Sequence, residues 1–325
     1  MKKSLSVLSA VFVMTVMLYG ASLACWGYRP MGMGGTFVAV ADDANCAYWN
    51  RAGVAQLDNW EKGENQIVLT TRFLDNEGFF KREPRVGNSY YDTVNFAHKV
   101  DDNFGWTFAG EWSGGGAVAL SPSIGFRLPW NDKMSLGIGY FYYKNEDYGT
   151  PFGTRVPLDT VQNQVHLDYL WRIRPEWSFG IHCENFWLLT GNTTSPDIPG
   201  WRQDFSNSFG DGVNVRPSIA WMPDGGLKGL VVNAGVYDAF RSYGDPLYSA
   251  GFEYTPQGKE ESFWTKSSFR AGVYNYRPNP DGAVTVGYSY KVGETLDIGY
   301  YSFLWLSADK FAANSDHNIG VAYKF

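Results

Sequence analysis

From residue 65 to the C-terminus, the chain repeats one pattern in which apolar and polar residues alternate and a turn follows. The last segment, residues 318–325, is typical, since Ile319, Val321 and Tyr323 fall on one face and small or polar residues such as Gly320 fall on the other. Because successive side chains of a strand point to opposite faces, such a segment suits a wall between lipid and a lumen.

Fourteen segments follow this pattern, and each predicts a strand. An even number of strands is typical of bacterial barrels made from one chain. Alternation alone also fits a soluble β-sandwich, so a second feature is needed to separate the two folds. The predicted strands cover residues 65–73, 88–100, 103–112, 117–128, 133–144, 160–172, 175–187, 213–222, 227–238, 247–255, 262–275, 282–292, 294–303 and 316–325.

The connections between these segments supply that second feature, because long and short connections alternate along the chain. Long ones include residues 74–87, 145–159 and 188–212, whereas residues 100–103 are short and residues 113–116 are a short exception in the long set. Outer-membrane barrels have long outer loops and short periplasmic turns, and a soluble sandwich has no reason to show this parity. The sequence therefore predicts an all-β protein, a 14-stranded antiparallel transmembrane β-barrel of the bacterial outer membrane.

Residues 28–57 differ from everything after them, since they are dense in Gly, Ala and Asn and lack strand alternation. Within this stretch, residues 41–57 predict a short helix that Asp42 or Asp43 caps and that Gly53 interrupts. Such a compact segment of small residues is unsuited to a lipid-facing wall.

The predicted number of strands indicates where residues 28–57 lie relative to the barrel. About eight strands fill their own interior with side chains, whereas a ring of fourteen leaves a lumen. We therefore expect a small helical or irregular plug, or hatch, over residues 25–62 inside a barrel over residues 63–325.

The composition agrees with a barrel. Mean hydropathy is only −0.28, although 17% of the residues are aromatic. A barrel hides its apolar residues in every second position and places aromatic residues in girdles at the membrane interfaces. A formal net charge of −6 gives no sign of nucleic-acid binding. No cofactor and no metal are expected.

Residues 1–24 have the features of a secretory signal peptide. Two lysines near the start precede an apolar core over residues 7–18, and small residues precede Cys25. Cys25 would then begin the mature chain. Two alternatives stay open for it, namely lipidation and a disulfide with Cys46 in an oxidising periplasm.

Two motifs in the plug carry a resemblance to a known family. Residues 31–43, MGMGGTFVAVADD, and residues 48–53, YWNRAG, resemble the N-terminal signature of the FadL-like superfamily of outer-membrane proteins. That group includes transporters of long-chain fatty acids and aromatic hydrocarbons, and also PorV-like proteins tied to secretion systems. The resemblance implies a fourteen-strand barrel with an N-terminal hatch; it is close over the plug and only architectural over the rest.

The resemblance also implies which residues form the hatch, and one of them departs from the family pattern. The family's Asn-Pro-Ala is here Asn-Arg-Ala, so Arg51 stands where a proline would fix φ and remove a backbone donor. We expect Arg51 to pair with a lumenal acid such as Glu184 or Asp168. The candidate hatch and gating residues are Gly34, Gly35, Asp42, Asp43, Asn50, Arg51, Ala52 and Gly53.

Ionisable residues on neighbouring strands are the main chemical candidates. The predicted lumen-lining polar residues are His166, Asp168, His182, Glu184, Arg216 and Arg270. The first four either form a polar wall whose charges pair with one another or with the plug, or form a metal or acid–base site of an outer-membrane hydrolase. Because no Gly-x-Ser-x-Gly motif accompanies them, we expect no catalytic residue and no enzyme.

Inward or loop aromatic residues are candidates for a ligand path. A hydrophobic substrate needs an apolar path with a few polar anchors. The same residues would equally fill space around the plug, and both interpretations stay open. The candidates are Phe141, Tyr143, Tyr237, Tyr274 and Tyr301.

The expected function is passive uptake of long-chain fatty acids or other hydrophobic compounds through an outer-membrane channel that the hatch gates. The expected partners are hydrophobic small molecules, fatty acids or hydrocarbons, together with outer-membrane lipid and lipopolysaccharide. A PorV-like scaffold or shuttle that binds protein partners of a secretion system is the first alternative. An outer-membrane enzyme that uses the His166 group is the second.

Overall fold

The computed structural model describes residues 27–75, 78–79, 91–113, 118–145, 160–184, 186, 213–237, 239–240, 246–258, 261–276, 282–305 and 315–325. The predicted signal peptide, the two alternatives for Cys25 and the predicted loop over residues 188–212 lie outside these residues.

Fourteen long strands of the described chain form the wall of a barrel, and one two-residue strand pairs with the end of the first. All neighbouring strands are antiparallel. The strands are β1 (Asn65–Asp75), β2 (Gly78–Phe79), β3 (Tyr91–Lys99), β4 (Phe104–Ser113), β5 (Val118–Leu128), β6 (Asn131–Asn145), β7 (Thr160–Arg174), β8 (Trp177–Glu184), β9 (Asn214–Trp221), β10 (Leu230–Tyr237), β11 (Leu247–Tyr254), β12 (Ser267–Tyr276), β13 (Ala283–Val292), β14 (Leu296–Trp305) and β15 (Ser315–Lys324).

The sheet closes on itself. Each long strand pairs with the next long strand along the chain, and β15 returns to pair with β1. The closing ladder runs from the Gln66–Lys324 pair to the Leu74–His317 pair. The prediction of a 14-stranded antiparallel barrel is confirmed.

The predicted strand bounds agree with the structure to within a few residues, and the largest difference is at the start of β12. A strand was expected from residue 262, whereas β12 begins at Ser267. Ser262 and Thr265 hydrogen-bond to each other, with the Ser262 N–H donating to the Thr265 hydroxyl at 2.8 Å. Such local side-chain bonds compete with a strand ladder and produce a turn here.

The outer face of the wall is apolar and exposed. Aromatic side chains cluster near the barrel end that carries the short turns, as in the girdles of membrane barrels. The exposed apolar side chains of the wall include Trp106, Leu120, Ile124, Ile138, Ile219, Val232, Phe252, Val286 and Ile298. Those near the short turns are Trp130, Trp177, Phe263, Trp264 and Phe325. The wall therefore presents to its surroundings the surface that lipid requires.

The described part of the plug, residues 27–62, runs inside the ring. It contains two short helices, α1 (Tyr28–Gly32) and α2 (Cys46–Trp49), and a 3₁₀-helix over Arg51–Gln56. Another 3₁₀ turn, Gly225–Leu227, lies between β9 and β10. Among the described residues, no helix is long and apolar enough to cross a membrane.

The helix predicted over residues 41–57 breaks at Asn50 and not at Gly53. Asn50 has an extended backbone with φ −165°, and its side-chain oxygen accepts a hydrogen bond from the Ala52 N–H at 3.1 Å. This bond starts the 3₁₀-helix. Gly53 lies inside that helix, where an added Cβ would come within 2.3 Å of the Ala41 carbonyl oxygen.

The prediction that Asp42 or Asp43 caps the helix is wrong, because Asn45 is the N-cap of α2. The Asp43 carboxylate accepts a hydrogen bond from the Asn45 N–H at 2.8 Å, so it stabilises the turn before the helix. Asp42 binds Arg29 instead. A partly buried ion pair within the plug therefore outweighs local capping.

Glycines on the inner face of the wall let the plug come close. At nine of them, an added Cβ would lie 2.0–2.6 Å from a plug atom, nearer than real Cβ atoms approach. We call these nine the glycine belt: Gly105, Gly125, Gly137, Gly139, Gly180, Gly251, Gly272, Gly299 and Gly320. Backbone and side-chain atoms of the plug therefore occupy the space where wall side chains would otherwise stand.

The main apolar core lies in the lumen, between the plug and the inner wall. The plug supplies most of its members, including Met31, Met33, Phe37 and Val40. Leu170 is one of the wall residues that pack against them. Burial of these side chains stabilises the seated plug by roughly 1.5–3 kcal/mol for each large one.

Gly180→Ala tests the glycine belt. The added methyl would lie 2.2 Å from the Val38 carbonyl oxygen, so we expect overpacking to cost about 1–3 kcal/mol. Hydrogen exchange of residues 27–57 should then be faster. Gly235→Ala is the matched control, because its methyl would meet its nearest neighbour at 3.3 Å. Equal exchange in the two variants would contradict the close approach.

Candidate functional site

Arg51 joins the plug to the wall. Its side chain is fully buried, and its backbone N–H donates to Asp168 Oδ2 at 2.9 Å. Nη1 lies 3.3 Å from the same oxygen, and Nη2 donates to the Ser121 hydroxyl at 3.1 Å. Of the two acids expected as partners, Asp168 and not Glu184 forms the ion pair.

A chain of charges continues from Asp168 along the wall. His182 lies between two acids, with Nδ1 2.5 Å from Asp168 Oδ1 and Nε2 3.4 Å from Glu184 Oε1. Glu184 in turn accepts hydrogen bonds from Arg216, and from Asn214 at 2.8 Å. We call Arg51, Asp168, His182, Glu184 and Arg216 the lumenal charge chain.

The strand register produces this chain. Asp168 of β7 lies directly opposite His182 of β8, and inward side chains at such positions are about 5 Å apart. His166 does not join the chain, because its Nε2 lies 3.0 Å from Gln164 Oε1 and its ring stacks on Phe141 at 5.4 Å. The arrangement has the features of a polar lumen wall, since each acid faces a donor.

A second cluster ties the start of the plug to the opposite wall. Arg29 Nη1 lies 2.6 Å from Asp42 and 2.8 Å from Asp43, and Nη2 lies 2.8 Å from Glu253. Glu253 also binds Arg270 Nε at 2.5 Å. Arg29 is not among the predicted site residues, although a single arginine before two adjacent acids was an available signal.

Two further arginines of the wall bind carbonyl oxygens of the plug. Arg172 donates to Ala39 at 3.1 Å and to Val40 at 2.7 Å, and Arg127 donates to Ala55 at 2.7 Å. Carbonyl groups of irregular backbone need donors when they are buried. Arg172 therefore supports the plug, a role that its place at the end of a predicted strand did not reveal.

Asn50 and Gly34 anchor the plug through uncharged groups. The Asn50 amide donates to the Val38 carbonyl at 2.7 Å and to the Tyr169 carbonyl of the wall at 2.9 Å. Gly34 has φ 75°, which suits glycine, and its N–H donates to the Thr285 hydroxyl at 3.0 Å. Two predicted hatch residues thus bind the wall through polar contacts.

Two further small hatch residues, Gly35 and Ala52, also contact the wall. The Ala52 carbonyl accepts a hydrogen bond from the Ser135 hydroxyl at 2.8 Å. Gly35 has φ 67°, and an added Cβ would lie 2.5 Å from the Tyr274 ring. Any larger residue at position 35 would therefore clash with the wall.

The end of the plug is fixed by Lys99. Its Nζ donates to the Leu57 carbonyl at 3.0 Å and to the Trp60 carbonyl at 2.9 Å. In the adjoining turn, Lys62 lies 3.0 Å from Asp102, and the hydrogen bond lowers the pKa of the Asp102 carboxyl from its ordinary value. The junction between plug and barrel is therefore held by several polar contacts.

The candidate aromatic residues divide into two groups. Tyr301 is fully buried and meets Phe303 edge to face at 5.6 Å, and Tyr274 meets Phe303 at 5.3 Å. These rings fill space beside the plug. Tyr237, by contrast, lies under the Arg216 guanidinium at 3.9 Å, at the end of the lumenal charge chain.

The two other aromatic candidates are Phe141 and Tyr143. Phe141 stacks on a histidine ring of the inner wall, as described above. The side chain of Tyr143 lies outside the described residues. A ligand path through the lumen thus has Phe141 and Tyr237 as its described aromatic candidates.

The wall beside Arg51 contains an irregularity. The ladder between β5 and β6 pairs Leu120 with Tyr142 and resumes at Ser123, so Ser121 and Pro122 have no paired residue in β6. Proline has no N–H to donate to a ladder. A cleft of about 440 Å³ opens at this place, lined by Trp106, Thr107, Phe108, Pro122, Ser123, Ile124 and Ile138.

Replacing Arg51 tests the lumenal charge chain. Arg51→Met removes the guanidinium from the buried Asp168, and such a break costs about 3–5 kcal/mol. We expect faster hydrogen exchange in residues 27–57. The double variant Arg51→Met with Asp168→Asn should lose less, because no uncompensated charge remains.

Lys62→Met is the matched control. It breaks a pair whose two side chains are 65% and 61% exposed, and surface pairs contribute less than about 1 kcal/mol. If the Arg51 single and double variants exchanged equally fast, the charge pairing would not hold the plug.

Comparisons with known proteins give structural matches only. No protein-family model matches the sequence, and no curated protein matches it. The toluene transporter TbuX of Ralstonia pickettii is similar in structure, with a TM-score of 0.58 and 13% sequence identity, covering 92% of this chain and 97% of that one. The toluene transporter TodX of Pseudomonas putida gives a TM-score of 0.56 at 12% identity, covering 93% and 98%.

A FadL homologue of Pseudomonas aeruginosa is also similar, with a TM-score of 0.53 and 12% identity, covering 94% of this chain and 99% of that one. At such identities the likeness establishes the fold. The resemblance predicted from the plug motifs is thereby confirmed at the level of the fold. The chain has the FadL-like fold, a closed fourteen-strand barrel with an N-terminal plug in its lumen.

Proposed function

We propose that this protein is a passive channel that carries hydrophobic compounds across the outer membrane, with the plug as its gate. The observation that supports this most directly is the seated plug, because a segment of the chain itself fills the lumen of a wide barrel. TbuX and TodX, two proteins of similar fold, are toluene transporters, which favours a small hydrophobic cargo.

The contacts of the plug are of a kind that suits a gate. Within the described residues they are hydrogen bonds, ion pairs and apolar packing, which water or a ligand can replace. The segment Asn50–Gly53 contacts both Asp168 of the lumenal charge chain and glycines of the glycine belt. A shift of this segment would open the lumen while Lys99 keeps the end of the plug attached.

The cleft at Pro122 supports a route out of the lumen. Arg51 donates to the hydroxyl of the adjacent Ser121 from the inner side, so the guanidinium lies directly behind the interrupted ladder. The cleft itself is lined mainly by apolar side chains. Cargo that displaces Arg51 would meet an apolar surface on the way to the surrounding lipid.

The cargo that we propose is a hydrophobic small molecule, either a long-chain fatty acid or a hydrocarbon. Outer-membrane lipid and lipopolysaccharide would surround the wall. No catalytic role is proposed for the lumenal charge chain, because its acids and bases bind one another. A PorV-like role would instead require a protein partner, and recovery of such a partner with the purified protein would favour it.

A disulfide lock tests the gate. An added Cβ at Gly105 would lie 2.6 Å from a methyl group of Val54, so Val54→Cys with Gly105→Cys brings two sulfur atoms within bonding range. In a background with the native cysteines replaced by serine, we expect the oxidised form to lose uptake of toluene by cells that lack other hydrophobic channels. Reduction should restore the uptake.

Each single cysteine variant is a control for the substitutions themselves. Both should retain uptake under oxidising conditions. Equal uptake by the locked and the reduced double variant would show that the plug need not move. Absence of uptake by the unmodified protein for toluene and for oleate alike would contradict the channel.

A further inference from the structure

The wall has a gap in its strand ladder beside Arg51. Two residues of β5, Ser121 and Pro122, have no paired residue in β6, although the register between the two strands is the same before and after them. No residue is therefore inserted here, and the strands continue past the gap in their original alignment. Proline contributes to the gap because it has no N–H to donate.

The Arg51 guanidinium lies against this gap from the lumenal side. Nη2 donates to the Ser121 hydroxyl at 3.1 Å, at one end of the gap. At the other end, the position that a Cβ of Gly139 would take lies 2.6 Å from Arg51 Nε and 3.1 Å from Ser123 Cβ. The edge of the guanidinium that Nε and Nη2 form therefore runs along the gap, and we call it the fork edge.

The fork edge is not filled by the protein. Asp168 contacts Nη1, which lies on the other side of the guanidinium, and does so at 3.3 Å. Within the described residues, Nε has no hydrogen-bond partner, although it is buried, and Nη2 has only the Ser121 hydroxyl. A buried donor of a charged group is costly to leave without a partner, so a ligand or water is expected to complete it.

The geometry of the fork edge fits one class of head group. Nε–H and Nη2–H point in the same direction, and this parallel pair of donors binds the two oxygens of a carboxylate. Such charge-assisted bonds are roughly twice as strong as bonds between neutral groups. A carboxylate is therefore the head group that the fork edge binds best.

The cleft at Pro122 gives an apolar tail a place on the lipid side of the gap. Its volume is about 440 Å³, and exposed apolar side chains such as Ile124 and Ile138 line it. Thr107 and Ser123, whose side chains face the lumen, also line it, and their hydroxyls hydrogen-bond to each other. Because a hydroxyl can rotate to a new acceptor, this pair can admit a polar head group between the cleft and Arg51.

We propose that Arg51 determines specificity by binding the carboxylate of the cargo with its fork edge while the apolar tail lies in the cleft, so that the channel prefers hydrophobic carboxylates to hydrocarbons. This inference rests on the proposed channel function and decides between its two classes of cargo. Nη1 and the backbone N–H of Arg51 stay with Asp168. The head group reaches the fork edge when the hydroxyls of Ser121 and Ser123 turn.

Three probes with one aromatic framework test the proposal: 4-methylbenzoate, 4-methylbenzyl alcohol and p-xylene. Their affinities for the detergent-purified full chain are measured by calorimetry at pH 7. We expect the unmodified protein to bind 4-methylbenzoate most tightly. Arg51→Lys keeps a positive charge beside Asp168 but has no fork, so it should bind 4-methylbenzoate about tenfold more weakly and the two neutral probes within about twofold.

Two further variants locate the site. Ile138→Trp fills the cleft from the outer face of the wall and should weaken all three probes several-fold, because the tail loses its place. The double variant Arg51→Gln with Asp168→Asn leaves neither member of the buried ion pair charged, and it should lose the preference for 4-methylbenzoate as Arg51→Lys does.

Arg174→Lys is the matched control, because it makes the same substitution at the exposed end of β7 and should change none of the three affinities. Circular dichroism and the gel mobility of the unheated barrel report whether each variant is folded. If Arg51→Lys does not fold, the double variant and Ile138→Trp decide the question.

The outcomes separate the inference from the channel. If p-xylene binds but the Arg51 variants change the three affinities equally or not at all, Arg51 does not select cargo and the channel proposal stands. The inference is also wrong if the unmodified protein prefers p-xylene to 4-methylbenzoate, or if Ile138→Trp leaves the affinity for 4-methylbenzoate unchanged. If the unmodified protein binds none of the three probes, the proposed function itself fails.

Discussion

The pairing of β15 with β1 is the constraint on which the rest of the structure depends. In lipid, every backbone N–H and C=O group has to be bonded within the protein, so a sheet that spans the membrane must close. Closing fourteen strands leaves a lumen that wall side chains alone do not fill. The plug supplies the missing volume, and the apolar core of the protein therefore lies inside the ring.

The fit of the plug then dictates the composition of the inner wall. Where the plug backbone approaches most closely, the wall has glycine, because a methyl group at Gly137 or Gly180 would overlap plug backbone atoms. Where the plug is irregular, its carbonyl groups receive arginine side chains such as Arg172. The wall is thus complementary to one particular path of the plug.

Buried charges define the seat of the plug more than they stabilise it. In an ion pair such as Arg51–Asp168, the attraction offsets the free-energy cost of removing two charges from water only when the geometry is good. Any displacement of the plug leaves buried charges without partners. Other positions of the plug therefore have a much higher free energy than the observed one. Arg51 adds a contact that proline could not make, since its own N–H donates to Asp168.

Glu111 differs from the other acids of the lumen in its partners. Asp168, Glu184 and Glu253 each bind a cation of the plug or wall. Glu111 binds none among the described residues, and its neighbours Thr93 and Thr70 are also unsatisfied. Buried polar groups without partners cost free energy, so folding alone would favour apolar residues at these three positions.

By itself, the sequence determined the barrel. Alternation with a period of two is a local property that each strand carries, so all fourteen strands, their order and their inward residues could be predicted. The inward register of Asp168 and His182 followed in the same way. The strand ends were less predictable where side chains such as Ser262 and Thr265 form local turns.

Only the tertiary structure decided how the plug is held. The break at Asn50, the choice of Asp168 over Glu184 as partner of Arg51, and the glycine belt depend on contacts between residues far apart in the chain. Glu111 and Glu184 look alike in a pattern of inward acids, yet Glu184 binds Arg216, whereas Glu111 has no such partner among the described residues. Alternation shows which face a side chain occupies, whereas its partner depends on where the plug lies, and no local pattern records that position.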